Sequence, residues 1–328
     1  MSRKFIYYFL LPIYFFLPPG VLCAQGDQAT AAKTTVANVN NISFLNPLTE
    51  CIRNKGLRMN ELKSFKGEIE KYLNQRLKNR EDLTVSYYFR DMNNGIWIGL
   101  NERETFIPAS LMKVPTMIAV LKEVQVNAGL LDIRLRYIAA FYKDIFEEAG
   151  YKKQDSGVYT VNELLIQSIE YSDNAATLML RSFVGDDKVS KVEDELNLHV
   201  KKPYDPEMNF VLVKNYAGVF RVLYNASYLN EEMSQKALQL LAGSKYESGI
   251  RAAVPSDIPV VHKYGKREVF VTGTTKKTTQ LHHFGLVYYP GKPFLIGVMV
   301  KGGSGEEKEK IIYDLAKITY QQVDKQMR

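Results

Sequence analysis

An apolar stretch from Phe106 to Leu121, FIPASLMKVPTMIAVL, constrains the fold of this chain more than any other segment. Its apolar residues recur at helical spacing on nearly every side, which predicts a helix buried in the middle of a domain. Ser110 and Lys113 nevertheless fall in the first turn of this helix, three residues apart, so their side chains share one face. This polar pair is the first candidate for chemistry.

Burial gives the pair a reason to react. Loss of hydration disfavours the charged ammonium form, so Lys113 can become a neutral amine that takes the proton of Ser110. Backbone N–H groups at the same helix start can hold negative charge that develops on a substrate oxygen. Alternatively, Ser110 simply starts the helix and the ammonium of Lys113 reaches solvent. The stretch alone leaves both interpretations open.

The composition bounds the partners. The 328 residues are 46% hydrophobic and 24% charged, with a net charge of +7, which suits one large or two modest domains. Basic residues between Arg53 and Arg80 alternate with apolar ones, as on a solvated helix face, and the sequence has no concentrated basic patch. We therefore expect no nucleic-acid partner, and we expect a monomer.

Residues 1–24 have the pattern of a secretory signal peptide: Arg3 and Lys4 precede a proline-broken apolar run. An uncleaved membrane anchor is the alternative, because the run approaches spanning length. Cys23 also suggests a lipoprotein, although Leu22 before it fits that signal poorly.

Residues 25–45, rich in Ala, Thr, Asn and Gln, predict a disordered tether. The domain is expected over residues 46–328, exported to the periplasm or the cell exterior, with membrane contact only through the N-terminal segment. Once Cys23 is removed, Cys51 is the only cysteine left, so we expect no disulfide within the chain.

Period-two patterns near both ends of the chain predict strands, with helices between them. LTVSYYFRD and GIWIGLN are expected to form a tight hairpin through Asn94-Gly95. Later strands are expected from residue 260, at HHFGLVYYP and at PFLIGVMVKG, followed by an amphipathic closing helix. A helix is expected before the first strands, and a long helical region after the Ser110 helix.

This arrangement predicts an α/β (α+β) fold, in which the terminal segments form one antiparallel sheet flanked by helices. Residues of roughly 115–255 are expected to form an all-helical lobe. A cleft between the sheet and this lobe is the expected place for a site.

A second polar motif, Ser172-Asp173-Asn174, lies between two apolar helical segments. The first of these helices is expected to start with a capping box made by Thr160 and Glu163. Ser, Asp and Asn favour such a junction for their backbone hydrogen bonding alone. A turn there can also project polar side chains into a cleft.

A third motif, Lys263-Tyr264-Gly265, lies on the first of the late strands. With Ser110-x-x-Lys113 and the turn motif, in this order, it resembles the penicillin-recognising serine hydrolases, specifically class A β-lactamases and their relatives. The resemblance covers nearly everything after about residue 47. It implies a β-lactamase/transpeptidase-like fold without a cofactor, and as substrate a small-molecule β-lactam or a peptidoglycan stem peptide.

The resemblance also implies roles for individual residues. Ser110 attacks the β-lactam carbonyl and forms an acyl-enzyme, and Lys113 helps to accept its proton. Ser172 relays a proton to the departing ring nitrogen, and Asn174 holds the amide side chain of the substrate. Lys263 supplies positive charge for the substrate carboxylate and raises the acidity of Ser172.

The third motif departs from the family pattern. Tyr264 stands where Thr or Ser is usual, which removes a small hydroxyl that would contact the substrate carboxylate. Its phenol either reaches the carboxylate or narrows the cleft. Gly265 and Lys266 follow, and the resemblance implies that the N–H groups of Lys266 and Ser110 form the oxyanion hole.

The loop YDPEMN departs more seriously. Aligned on its proline and Asn209, which is expected to bind substrate, it places Asp205 where the family has the glutamate that activates the deacylating water. Aspartate withdraws the carboxylate by roughly 1–1.5 Å, and misplacement by about 1 Å can cost on the order of a hundredfold in rate. Glu207 can substitute if the loop is shifted, or both acids belong to an ordinary solvated loop.

Three functions fit these observations: a secreted β-lactamase, a D,D-peptidase-like cell-wall hydrolase that deacylates slowly, and a non-catalytic binder or sensor that penicillin acylates. Asp205 and Tyr264 favour the second and third, whereas the helical lobe and single-domain length favour the first.

A metal-dependent hydrolase is a further alternative. The histidines lack chelating spacing, and we expect no metal; they are His199, His262, His282 and His283. His282 and His283 are adjacent on a predicted strand and should point to opposite faces.

Overall fold

The computed structural model describes residues 43–46, 59–137, 156–198, 209–270 and 277–327 of the chain. The helices are α1 (Met59–Leu77), α2 (Lys113–Val124), α3 (Val161–Glu170), α4 (Asn174–Val184), α5 (Asp186–Glu195), α6 (Val213–Tyr224), α7 (Glu231–Ala242) and α8 (Gly305–Met327). The strands are β1 (Thr84–Asp91), β2 (Trp97–Leu100), β3 (Thr105–Phe106), β4 (Arg134–Tyr137), β5 (Gly157–Thr160), β6 (Val211–Leu212), β7 (Val260–Phe270), β8 (Lys277–Val287) and β9 (Phe294–Lys301). Short 3₁₀ helices lie at Ala109–Met112 and Ala128–Asp132.

The main sheet joins the two ends of the chain. Its five strands run in the order β2-β1-β9-β8-β7, all neighbours antiparallel. The first hairpin is confirmed: Arg90 pairs with Trp97, and Gly95 takes a φ of +77° in the turn that the Asn-Gly pair predicts. β7 forms one edge of this sheet, which leaves it open to the helices beside it.

Each face of the sheet is covered by helices, because successive side chains along a strand alternate between the two faces. Tyr87 and Phe89 pack in one buried cluster with residues of α1 and α8. Tyr88 packs in the other cluster, together with residues of α2, α3, α4, α6 and α7. The antiparallel sheet flanked by helices is thus confirmed as the fold.

The lobe expected to be all-helical over residues of roughly 115–255 also contains strands, so that expectation is wrong. α2 ends at Val124, and a two-stranded antiparallel ribbon of β4 and β5 follows, in which Arg136 pairs with Val158. The segment Arg134–Tyr137 reads RLRY, an alternation with period two that suits a strand better than a helix. The residues between the two strands, 138–155, lie outside the described part.

The capping box at the start of α3 is confirmed. Thr160 accepts the N–H of Glu163 at 3.1 Å, and the Glu163 carboxylate accepts the N–H of Thr160 at 2.7 Å. α3 then runs directly to the turn that holds Ser172. No helix in the described part of the chain has the length and apolar character needed to cross a membrane.

Candidate active site

The turn that holds Ser110 is a 3₁₀ helix rather than the first turn of α2 itself. Ala109 before it has a φ of +51°, in the left-handed region that costs an alanine about 1–2 kcal/mol. Such a conformation persists only where surrounding contacts impose it. Ser110 is half-buried, whereas the body of α2 is buried almost throughout, as its all-round apolar sequence predicts.

Lys113 does not reach solvent, so the interpretation that its ammonium extends to the surface is wrong. It is 5% exposed, and its Nζ lies 2.8 Å from Oγ of Ser110. The same Nζ donates to the side-chain oxygen of Asn174, the first residue of α4. The amine therefore joins the Ser110 turn to the second motif.

The second motif forms a tight turn in which the three residues do different things. Ser172 is 5% exposed and has a φ of +57°. Asp173 is the N-cap of α4, since its carboxylate accepts the N–H of Ala176 at 2.6 Å. Asn174 instead points to Lys113. The motif thus supplies one helix cap and two polar groups to the site.

Lys263 lies on β7 with no exposed surface. Its Nζ lies 2.9 Å from Oγ of Ser172 and 3.3 Å from the carbonyl oxygen of Tyr264. The structure thus brings together all three motifs in two hydroxyl–amine pairs, Ser110 with Lys113 and Ser172 with Lys263.

Gly265 is explained by the close approach of β7 to the Ser110 turn. A Cβ at this position would lie 2.6 Å from the carbonyl oxygen of Pro108 and 3.2 Å from the backbone nitrogen of Leu111. Glycine is the residue that lets two backbones come this close. Lys266, the next residue on the strand, is exposed.

The side chain of Tyr264 is buried and packs against another aromatic ring. It is 5% exposed, and its ring stacks on that of Tyr246 with centroids 3.9 Å apart and planes at 15°. The ring also lies 4.7 Å from Nζ of Lys263. Sequence reasoning missed Tyr246, because nothing in the linear pattern places it beside the third motif.

The two candidate acids, Asp205 and Glu207, lie outside the described residues, but the end of their loop is placed. Asn209 accepts a hydrogen bond at 2.8 Å from the amide of Gln280 on β8. Gln280, 1% exposed, in turn accepts the N–H of Ile107 at 3.0 Å, three residues before Ser110. Sequence reasoning missed Gln280, which ties this loop to the approach to the nucleophile.

The strand pairing repeats that attachment. Phe106 pairs with Val211, so β3 and β6 form a short ribbon directly after the loop. The N–H of Phe210 also donates to the carbonyl of Phe106 at 3.1 Å. The residues after Asp205 and Glu207 are therefore fixed beside the entry to the Ser110 turn.

The described histidines are core residues. His283 accepts the N–H of Ile250 at Nδ1, 3.2 Å away, so its Nε2 carries the proton and donates to Nδ1 of His262 at 2.9 Å. His282 donates from Nε2 to the carbonyl oxygen of Ile107 at 2.8 Å.

Burial controls the protonation of these three rings. Desolvation, with a smaller contribution from the charge of Lys263, lowers the pKa of His262 to about 3. Burial also lowers the pKa of His282 to about 3 and holds that of His283 well below its usual range. All three are neutral at pH 7. In the described part of the chain, no group of three or more His, Cys, Asp or Glu is arranged to hold a metal ion; His199 is not among those residues.

Solved structures of known proteins resemble this chain over most of its length. PBP-A is 21% identical, with a TM-score of 0.66 over 80% of this chain and 97% of that one. A class A β-lactamase from Bacteroides cellulosilyticus is 18% identical, with a TM-score of 0.67 over 80% and 99% of the two chains. A class A β-lactamase from Mycobacterium abscessus is 21% identical, with a TM-score of 0.65 over 79% and 99%.

At these identities the solved structures show the fold alone. No curated protein matches the chain by sequence. A model of the beta-lactamase enzyme family, however, matches residues 68–323, which is most of the chain and includes all three motifs. The protein therefore belongs to the beta-lactamase enzyme family.

Proposed function

We propose that this protein is a serine hydrolase that opens β-lactam rings through an acyl-enzyme on Ser110. One observation carries the proposal: the buried amine of Lys113 lies 2.8 Å from Oγ of Ser110, within hydrogen-bond reach of the proton that must be removed. A serine hydroxyl is a weak nucleophile until a neighbouring base takes its proton. Family membership supports the choice of a β-lactam as substrate.

In the acylation step, Oγ of Ser110 forms a bond to the β-lactam carbonyl carbon and its proton passes to the neutral amine of Lys113. Asn174 accepts a hydrogen bond from that amine, which fixes its position against the hydroxyl. Negative charge develops on the carbonyl oxygen. The N–H groups of Ser110 and Lys266 belong to the two segments that Gly265 allows to meet, and we assign the stabilisation of this oxyanion to them.

Ring opening then breaks the bond between the carbonyl carbon and the ring nitrogen, which must gain a proton. Oγ of Ser172 donates that proton and regains one from the ammonium that Lys113 gained in the acylation step, while Lys263, 2.9 Å away and fully buried, stabilises the alkoxide character on Ser172 during the transfer. Because Lys263 is buried, solvent screens its positive charge less, so the charge acts more strongly on the oxygen of Ser172.

Deacylation needs a water that attacks the ester carbon, with its proton taken by a carboxylate and passed to Oγ of Ser110 as the ester bond breaks. Asp205 and Glu207 are the acids that the loop offers, and Asn209 at its end is held beside the Ser110 approach through Gln280. The shorter side chain of Asp205 favours a second candidate function, a penicillin-binding hydrolase or sensor that is acylated but released slowly. A mutant of the similar PBP-A has itself been solved as an acyl-enzyme complex with penicillin G.

The test is intact mass spectrometry after incubation with benzylpenicillin. We expect an adduct with the mass of one penicillin on the wild-type protein and none on Ser110→Ala. If the wild type gains no mass and hydrolyses no penicillin, the proposal is wrong.

Turnover of a chromogenic cephalosporin separates the two candidates. Many turnovers per protein support a β-lactamase, whereas a single stoichiometric burst supports the slowly released acyl-enzyme. Asp205→Glu is expected to increase the turnover rate if the aspartate is the short base, and Asp205→Asn to decrease it. Equal turnover of both variants and the wild type would remove Asp205 from the mechanism.

Export belongs to this proposal. The basic start and apolar run of residues 1–24 support it, because they have the pattern of a secretory signal. N-terminal sequencing of the protein from fractionated cells tests it, and full-length protein in the cytoplasmic fraction would contradict it.

A further inference from the structure

The segment that follows α7, residues 243–246, contacts sequence neighbours of both Ser172 and Lys263. We propose that it sets the distance between these two side chains, with Tyr246 and Lys245 as positioning residues for proton transfer to the departing nitrogen. The inference rests on the proposed function and extends it to residues that act through Ser172 and Lys263.

One end of the segment is attached to the Ser172 turn. The N–H of Lys245 donates to the carbonyl oxygen of Glu170 at 2.9 Å, and its Nζ lies 3.4 Å from the carboxylate of Glu170. Glu170 is the last residue of α3, two positions before Ser172. Nζ of Lys245 also lies 5.8 Å from the ring of Tyr171, the residue between them.

The carboxylate of Glu170 is held closely against the segment. A Cβ on Gly243 would lie 2.5 Å from it, so the glycine provides the space that it occupies. Burial raises the pKa of Glu170, and the charge of Lys245 opposes that shift. The ion pair is thus partly withdrawn from water, with Glu170 only 19% exposed.

The other end of the segment is attached to β7. Tyr246 stacks on Tyr264 at 3.9 Å and packs edge-on against His283 at 5.2 Å. Tyr264 follows Lys263 directly, and its ring lies 4.7 Å from Nζ of Lys263. Stacked aromatic pairs of this kind attract each other beyond the effect of burying their surface.

These contacts close a ring: Ser172, the end of α3, the segment, β7 and Lys263. The direct contact that completes it is the 2.9 Å hydrogen bond between Lys263 and Ser172. Ser172 has a φ of +57°, a conformation that its surroundings must impose. A shift of about 1 Å between reacting groups can cost on the order of a hundredfold in rate. If loss of the stack moves Lys263 away from Ser172, proton transfer should therefore slow.

The test compares Tyr246→Leu, which removes the ring, with Tyr246→Phe, which keeps the stack. The acylation rate by benzylpenicillin is measured by quench-flow and intact mass over a range of penicillin concentrations. We expect the maximal rate to fall about 10- to 100-fold in Y246L with little change in half-saturating concentration. Y246F is expected to stay within about threefold of wild type, since its ring still stacks.

A double-mutant cycle with Ser172→Ala separates positioning from general loss of structure. If Tyr246 acts through Ser172, adding Y246L to S172A lowers the rate no further. Tyr320→Leu is the matched control, because Tyr320 also packs on a tyrosine, Tyr289 at 5.7 Å, but on α8. Its effect, if any, should multiply with that of S172A.

The outcomes are distinguishable. A wild-type rate in Y246L, or effects of Y246L and S172A that multiply, overturns this inference alone. If the wild type shows neither an adduct nor hydrolysis of penicillin, the proposed function is overturned and the inference with it. If Y246L does not fold by circular dichroism, Lys245→Met, at a side chain that is 55% exposed, takes its place in the same cycle and decides by the same criteria.

Discussion

The two hydroxyl–amine pairs of the site have nearly equal geometry but are held in different ways. Ser110 and Lys113 are three residues apart, and their 2.8 Å contact follows from the local turn. Ser172 and Lys263 are 91 residues apart, and their 2.9 Å contact depends on how α3, α4 and β7 pack. The local pair should therefore tolerate distant changes that disturb the non-local pair.

Two features connect the pairs. Asn174, two residues after Ser172, accepts a hydrogen bond from Lys113. Gly265, two residues after Lys263, packs against the backbone on either side of Ser110. Asn174 and Gly265 thus lie beside the non-local pair in sequence but contact the local pair in space. Substitutions in either pair therefore test how independent the two pairs are.

The largest expected effect comes from the local pair. Lys113→Met keeps an unbranched side chain but removes the amine, and we expect the acylation rate to fall about 10²- to 10⁴-fold because the proton acceptor is lost. Quench-flow with benzylpenicillin measures this rate. The matched control is Lys122→Met on the same helix, whose side chain is 40% exposed and pairs with Glu195; it should acylate like the wild type. Acylation of K113M at the wild-type rate would remove Lys113 from the mechanism.

The next effect tests the place where the two pairs meet. Gly265→Ala puts a Cβ 2.6 Å from the backbone oxygen of Pro108, which cannot move as a side-chain end can. Overpacking of this kind costs about 1–3 kcal/mol in unfolding free energy, and displacement of β7 should slow acylation as well. Urea unfolding and quench-flow measure the two effects.

Gly67→Ala on α1 is the matched control for that change. A Cβ on Gly67 meets no atom within 4 Å, and alanine in a helix interior gains about 0.8–1 kcal/mol over glycine. G67A should therefore unfold at higher urea and acylate normally. If G265A is as stable and as active as the wild type, the close approach does not determine the site.

The same contrast explains how much of the molecule can be predicted from sequence. Local patterns predict local structure: the Asn-Gly turn gives the first hairpin, the Thr160–Glu163 capping box starts α3, and Ser110-x-x-Lys113 shares one face. Period-two patterns also predict the late strands correctly. From the sequence, Asn174 and Lys263 can be assigned to the site only because the order of the three motifs resembles that of a known family.

Contacts between distant residues leave no such pattern. Nothing near Tyr246 or Gln280 in the sequence indicates that one stacks on Tyr264 and the other bonds to Asn209. The ribbon of β4 and β5 was missed because four-residue strands carry little periodic signal beside a long buried helix. The proximity of His262 and His283, 21 residues apart, likewise comes from the pairing of β7 with β8.

A third prediction uses the buried histidines, since His282 bonds to Ile107 near the local pair. Its pKa of about 3 in the folded state lies below the value of about 6.5 in the unfolded chain, so the unfolded state binds more protons between these values. Stability should be complete above about pH 6.5 and should fall as the pH falls towards 3. The pKa values of His262 and His283 are also lowered on folding, so these residues change the stability with pH in the same direction.

His282→Gln keeps an N–H donor for the carbonyl of Ile107 but does not titrate. We expect the slope of the unfolding free energy against pH to fall by up to about 1.4 kcal/mol per pH unit between about pH 4 and 6. Urea unfolding at half-unit intervals of pH measures the slope, and the curve from pH 7.5 to 8.5 serves as the internal baseline. An unchanged slope in acid would show that His282 is not the titrating group.

The smallest effect separates the stability of α3 from the function of the turn at its end. Thr160→Ala removes one half of the capping box, and loss of an N-cap costs about 1 kcal/mol of unfolding free energy. Ser172, however, is held from the other end of α3, by the contacts of Glu170 with Lys245 and by the hydrogen bond from Lys263. T160A should therefore unfold at lower urea yet acylate at the wild-type rate. Thr160→Ser keeps the capping oxygen and should restore the stability. A fall in the acylation rate of T160A would mean that the Ser172–Lys263 pair depends on the whole of α3 rather than on the contacts at its end.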